Sequence, residues 1–233
     1  VSRVVRQLPA ELVSDLPEAW QVTSHQVMAH GAVADFVTDE VTTPDGVSMR
    51  RQYTLHPGAV GVIALDDNDR VAVVRQYRHP VAMSLIEPPA GLLDHDAESF
   101  VAAARRELAE EAGLAAADWR VLVDLFTSPG GSQESLRIYL ARGLTEVDTP
   151  EGFVAESEEA HMEIAWVARA DLVAAVLSGR LQNPTMVSGI LALETARLSG
   201  RLDQLRAADA PWPARDVWAE QNSRLAAVRG HAG

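Results

Sequence analysis

One stretch of this sequence crowds acid into a single helical turn, and few folds can use that. In residues 97–112, AESFVAAARRELAEEA, the apolar residues Phe100, Val101, Ala104 and Leu108 recur at helical spacing. Gly113 then suits a C-terminal cap. On such a helix Glu107 and Glu111 share a face with Cβ atoms ~5–6 Å apart, and Glu110 lies beside them. Three carboxylates in one turn repel one another unless something positive sits among them, either Arg105 and Arg106 or a bound dication. The run before the helix, SLIEPPAG (84–91), reads as a strand with a stiff Pro-Pro-Ala-Gly stop. Gly91 permits a tight turn, which can aim a carbonyl such as that of Ala90 at a metal.

Composition narrows what that acid could serve. The chain has no cysteine, and all 20 of its basic residues are arginines. Disulfides, thiolate metal sites, cysteine nucleophiles, a P-loop lysine and a Schiff-base lysine are therefore excluded. No histidine pair stands at ligand spacing, so an oxygen-only site is the one available, and hard divalent ions such as Mg²⁺ favour it. The formal net charge is -13, which disfavours a nucleic-acid partner. No apolar run approaches the ~20 residues of a membrane span. The first fifteen residues show no apolar signal core, and a cytoplasmic location is expected.

The length of 233 residues suits one ordinary domain with a small appendage. Residues 1–20 read as a loose arm. Three short alternating segments follow between about Trp20 and His56, the last two joined by a TTPDG hairpin turn, forming a small N-terminal antiparallel β-unit. Strands are expected at 58–65 and 70–77 around Asp66-Asp67-Asn68-Asp69 as a second hairpin, then at 119–127, 135–142 and 161–168. Helices are expected at 171–178 and 186–198, with Asn183 as N-cap, Pro184 in the first turn, and Met186, Leu191, Leu193 and Leu198 as core. A further amphipathic piece lies near 217–228. The class is mixed α and β around one sheet.

Residues 91–114, GLLDHDAESFVAAARRELAEEAGL, resemble the Nudix box, G-x5-E-x7-R-E-U-x-E-E-x-G-U with U a bulky aliphatic. Glu98, Arg106, Glu107, Leu108, Glu110, Glu111, Gly113 and Leu114 match. The departure is one extra loop residue between Gly91 and Glu98. RQYRHPV (75–81), EPPAGLLD (87–94), SPGGSQE (128–134) and an acidic loop containing Glu158 and Glu159 follow the order and spacing of the ADP-ribose pyrophosphatase subgroup. Ile86 replaces that subgroup's usual aromatic, and Pro88-Pro89 its Leu-Pro.

The resemblance implies an α+β fold, an α/β/α sandwich with a mixed sheet between helices. It implies an N-terminal arm and β-unit over 1–56 that exchanges between subunits of a homodimer, a catalytic domain over 57–200, and a partly helical tail over 201–233. It also implies Mg²⁺- or Mn²⁺-dependent hydrolysis of ADP-ribose to AMP and ribose 5-phosphate. Carried over by position, Glu107, Glu110 and Glu111 are candidate metal ligands, with the Ala90 carbonyl as a further one. Glu98 and Arg106 orient helix and loop. Glu159, with Glu158 second, is the candidate base that takes a proton from the attacking water.

Arg78 is the candidate phosphate contact, because a guanidinium matches phosphate oxygens in a fork. Arg51 could reach a neighbouring subunit's site. Glu87 and Glu134 are candidate acceptors for ribose hydroxyls or adenine, and Ser132 a candidate donor to phosphate. Phe36 and Trp20 are available as an adenine platform. His56, His79, His95 and His161 read as loop or capping residues. The alternatives are a Nudix pyrophosphatase for a nucleotide sugar, dinucleoside polyphosphate or oxidised nucleotide, and a Nudix domain that senses a nucleotide without cleaving it. A further alternative is an interaction module using Trp212 and Trp218 of the tail.

Overall fold

The computed structural model describes residues 7–95, 98–148 and 162–229. Glu158 and Glu159 lie outside the described residues.

A three-stranded antiparallel sheet comes first: β1 (Gln21–His30), β2 (Asp35–Thr42) and β3 (Ser48–Leu55), in that order. The turn between β2 and β3 closes through Thr43 and Val47, with Gly46 at φ +85°, a conformation glycine adopts without strain. Inside this sheet Asp39 accepts a hydrogen bond from the Tyr53 hydroxyl at 2.8 Å and pairs with the buried His25 ring at 2.5 Å.

The central sheet has the order β11-β8-β9-β4-β7, with β4 (Ala59–Ala64), β7 (Ala90–Leu92), β8 (Leu114–Phe126), β9 (Ser135–Glu146) and β11 (Arg206–Ala207). It is mixed: β4 runs parallel to β9 and antiparallel to β7. A smaller antiparallel sheet places β5 (Arg70–Arg78) between β10 (Glu163–Ala168) and β6 (Met83–Glu87).

Strand alternation sends side chains to two cores. Val60, Val62 and Ala64 of β4, with Tyr139 and Ala141 of β9, pack against Ala103, Ala104 and Leu108 of α1 (Phe100–Ala112). On the other side Ile63, Ile138 and Leu140 pack against α2 (Arg169–Leu177) and α3 (Pro184–Leu198) through Leu172, Met186, Ile190 and Leu193. The result is the expected sandwich of helices around a mixed sheet. Glycine lets α3 approach closely. A Cβ on Gly189 would lie 2.7 Å from Ile63 Cδ1, and one on Gly61 would lie 2.4 Å from Thr185 Cγ2.

Three details differ from the sequence reading. The Asp66 turn forms, its carboxylate accepting from the Asn68 and Arg70 backbone N–H groups, but only Leu65 and Val71 pair across it. Strands β4 and β5 then diverge into separate sheets. The run 84–91 is also two strands, because Pro88-Pro89 carries the chain from one sheet to the other, with the Pro89 carbonyl accepting from Val62 N–H at 2.8 Å. Leu198, read as core, is 71% exposed in the last turn of α3.

The C-terminal residues pack onto the domain. Trp212 is buried, its ring edge-on to Phe100 at 5.1 Å. Helix α4 (Pro213–Arg229) follows, lies against β1 and buries Leu225. The burial of Trp212 removes it from any outward-facing binding surface.

Candidate active site

Helix α1 is framed at both ends. Ser99 caps its N-terminus by accepting from Ala102 N–H, and Gly113 closes it in the left-handed conformation at φ +61°. Its apolar face is fixed in the core by Ala104 and Leu108, so Glu107, Glu110 and Glu111 turn towards a cleft of 870 Å³ beside strands β4 and β7. The same cleft is lined by Arg78, Glu87, Ala90, Gly91 and Glu134.

The contacts among these groups are specific. Glu111 Oε2 accepts from Ala90 N–H at 2.9 Å, tying α1 to β7. Glu107 lies directly over Gly91, where a Cβ would fall 2.0 Å from its carboxylate. Arg106 Nη1 donates to Glu107 at 2.6 Å and to Glu110 at 3.0 Å, while its Nε and Nη2 reach Glu98 at 3.2 and 3.3 Å. Burial works against the charged guanidinium, yet its hydrogen bonds to Glu98 and the charge and hydrogen bonding of the other glutamates outweigh it and raise the Arg106 pKa. The arginine is thus the cation that keeps the crowded turn tolerable. Among the described residues no three acidic or imidazole side chains converge at ligand distance, since Glu107 and Glu110 turn onto Arg106 and Glu111 onto the backbone.

On the opposing strands, Arg78 ends β5 and Glu87 ends β6. Glu87 is opposite Val74 in the register, and Arg78 reaches back along the same face of β5. Their side chains form a two-pronged pair, Nε to Oε1 at 3.0 Å and Nη2 to Oε2 at 2.7 Å. The buried carboxylate of Glu87 therefore fixes the plane of a guanidinium that remains 42% exposed.

Arg51 and Ser132 are placed elsewhere. Both line a second cavity of 500 Å³ between the N-terminal sheet, the 128–133 loop and α4, together with Trp20, Phe126 and Arg224. Arg51 Nη1 donates to its own neighbour's carbonyl, that of Arg50, at 2.9 Å. Ser132 Oγ accepts from Glu134 N–H at 3.1 Å, a turn contact. Phe36 is 41% exposed on the N-terminal sheet.

Among the cleft residues that sequence reasoning did not assign to the site are His56, Gln76, Asn183 and Thr185. Gln76 had a signal available, standing two residues before Arg78 on the same strand face. His56 reaches the cleft beside the Pro57-Gly58 bend that follows β3. Its pKa is lowered, first by burial and then by Arg215, with Glu134 acting in the opposite direction.

Comparison with known proteins follows the same geometry. The NUDIX domain family matches residues 55–187, the stretch that holds β4 to β10, α1, α2 and the cleft. The chain belongs to the Nudix family. Within that Nudix region, Gly91 seats Glu107 and Ala90 N–H meets Glu111.

This Nudix chain is 41% identical to an ADP-ribose pyrophosphatase of Mycobacterium tuberculosis over 193 residues, 83% of this chain and 91% of that protein. It is 35% identical to an ADP-ribose pyrophosphatase of Bacillus subtilis over 118 residues, 51% of this chain and 63% of that one. It is also 29% identical to a GDP-mannose pyrophosphatase of Klebsiella pneumoniae over 178 residues, 72% of this chain and 88% of that one. Among solved structures it resembles an ADP compounds hydrolase with a TM-score of 0.64 and 22% identity, covering 81% of this chain and all of that one. That last likeness concerns the fold.

Proposed function

We propose that this Nudix protein hydrolyses ADP-ribose to AMP and ribose 5-phosphate with the help of Mg²⁺ or Mn²⁺. The observation that carries the reading is the single cleft in which the box glutamates of α1 face the Arg78–Glu87 pair. The relatives named as ADP-ribose pyrophosphatases support the choice of substrate.

The donor set fits a hard divalent cation. Glu107, Glu110 and Glu111 offer carboxylate oxygens on one cleft wall, and Ala90 offers its carbonyl beside them. When bound, such an ion supplies the positive charge that a diphosphate requires and makes a water molecule more acidic. Arg106 then acts as a spacer that orients the glutamates. Arg78, held in plane by Glu87, contacts a phosphate oxygen. Glu87 and Glu134 accept from hydroxyls or from the base. Glu159, or Glu158, takes the proton of the attacking water. Water oxygen bonds to one phosphorus, the bridging P–O bond breaks, and its oxygen leaves with the other phosphate. In a homodimer, Arg51 and Ser132 serve the site from the second cavity of a neighbouring subunit.

A panel of ADP-ribose, GDP-mannose and diadenosine polyphosphates, incubated with Mg²⁺ and resolved by chromatography, tests the reading. Preferential release of AMP from ADP-ribose supports it. Preferential cleavage of GDP-mannose, as the relatives of that name suggest, would replace it with a nucleotide-sugar reading. Binding of ADP-ribose without AMP release would leave a nucleotide sensor.

A further inference from the structure

Four residues near the wall of the cleft join parts of the chain that are about 160 residues apart. Trp218 Nε1 donates to the His56 carbonyl at 3.3 Å, and Arg215 Nη1 donates to the Pro57 carbonyl at 2.7 Å. The Arg215 guanidinium carbon itself lies over the Trp218 ring, 4.1 Å from its centroid. The chain bends sharply under them at Gly58, at φ +89°, where a Cβ would lie 2.6 Å from Arg215 Nη1. Gly58 N–H in turn donates to His56 Nδ1 at 3.0 Å.

That last bond fixes the imidazole. A ring nitrogen that accepts from a backbone N–H carries no proton, so the proton of His56 is on Nε2. Nε2 faces Glu134 Oε1 at 4.0 Å. The other oxygen of Glu134 is already engaged, accepting from Thr127 Oγ1 at 2.6 Å. A donor and an acceptor thus confront each other in the cleft at a separation too long for a hydrogen bond of their own.

We propose that His56 and Glu134 form a subsite for a sugar hydroxyl of the substrate, and that Arg215 and Trp218 of the C-terminal segment are the positioning residues that hold it. A hydroxyl oxygen accepts from Nε2–H and donates to Oε1, closing the gap. A phosphoryl oxygen would face the Glu134 carboxylate, and an ammonium could not accept from His56, so the pair selects a group that does both. The positioning residues lie outside the 55–187 stretch matched by the family.

The inference rests on the proposed hydrolysis of a ribose-linked diphosphate, and the test separates the two. ADP-ribose turnover is measured with the full chain and Mg²⁺. His56→Leu should raise KM about fivefold, the weight of one neutral hydrogen bond, with kcat within twofold. His56→Gln, which keeps a donor near the Nε2 position, should restore most of the loss. Trp218→Phe removes only the indole donor and should raise KM in the same direction, with no further rise when combined with His56→Leu. Arg215→Lys serves as the conservative second variant. A wild-type KM in both His56→Leu and Trp218→Phe overturns the subsite, as does a loss confined to kcat. Absence of turnover in the unaltered protein instead overturns the substrate reading.

Discussion

Gly91 and Glu107 occupy one space: the carboxylate of Glu107 lies where a side chain at 91 would have to be, 2.0 Å from an ideal Cβ. The strand before the Nudix helix and the acidic turn on it are thus a single fitted unit. Gly91→Ala should leave the fold intact, because the atoms displaced are the far end of a flexible side chain. It should nonetheless push Glu107 off its position. We expect kcat/KM to fall by about 10²-fold, the usual cost of a small misplacement at a reacting centre. Steady-state kinetics beside a thermal melt check this; an active Gly91→Ala enzyme would detach Glu107 from the chemistry.

Arg137 tests whether the C-terminal segment folds as part of the domain. Its side chain is buried, pairs with Asp124 at 2.7 and 2.9 Å, and donates to the carbonyls of Ala210 and Pro211 at 2.8 and 3.1 Å. Trp212 lies against it at 4.7 Å. Replacing Arg137 by Met removes the buried donor from these acceptors and leaves Asp124 with Arg206 alone, at a cost of about 1.5–3 kcal/mol. Urea unfolding followed by tryptophan fluorescence should show one cooperative transition at a lower midpoint. A separate early transition, with the main one unmoved, would mean the segment folds independently.

The pH dependence of stability has a predicted direction. The Arg169 hydrogen bond holds the Asp69 carboxyl below its ordinary value of 3.8, against a smaller opposing effect of burial. Glu194 is lowered from 4.5, first by its hydrogen bond with Arg197 and then by the charge of Arg169, with burial opposing. Both groups bind protons more readily in the unfolded chain. Their stabilisation is complete above the unfolded values and is lost as pH falls through the depressed folded ones. Acid unfolding should therefore steepen below about pH 4, and Asp69→Asn should flatten that limb while lowering stability at neutral pH. An unchanged acid limb in Asp69→Asn would contradict the assignment.

The sequence carried the acidic face of α1 better than the sheet. Periodicity placed Ala104 and Leu108 inward, which left Glu107, Glu110 and Glu111 to the cleft; it did not identify Ser99 as the N-cap of α1. The Asn183 cap, with Pro184 behind it, also formed as read, its side chain accepting from Met186 N–H. Local pattern misread β4 and β5 as a hairpin because an Asx turn looks the same whether the strands it joins stay paired or diverge. The reach of Arg215 and Trp218 to His56 and Pro57 has no local signature at all: it depends on where α4 lands after the domain has closed. Arg51 and Ser132 share a cavity only because β3 and the 128–133 loop meet at the bridge between Thr54 and Ser132.

The most direct test of the central claim is the turnover of ADP-ribose by Glu111→Gln. Glutamine can still accept from Ala90 N–H, so the variant should melt as the unaltered protein does. The account predicts Mg²⁺-dependent formation of AMP and ribose 5-phosphate by the unaltered protein, and a kcat lower by roughly 10²–10³-fold in the variant, the scale of losing one charge-stabilising group. Equal kcat in the two proteins would contradict it.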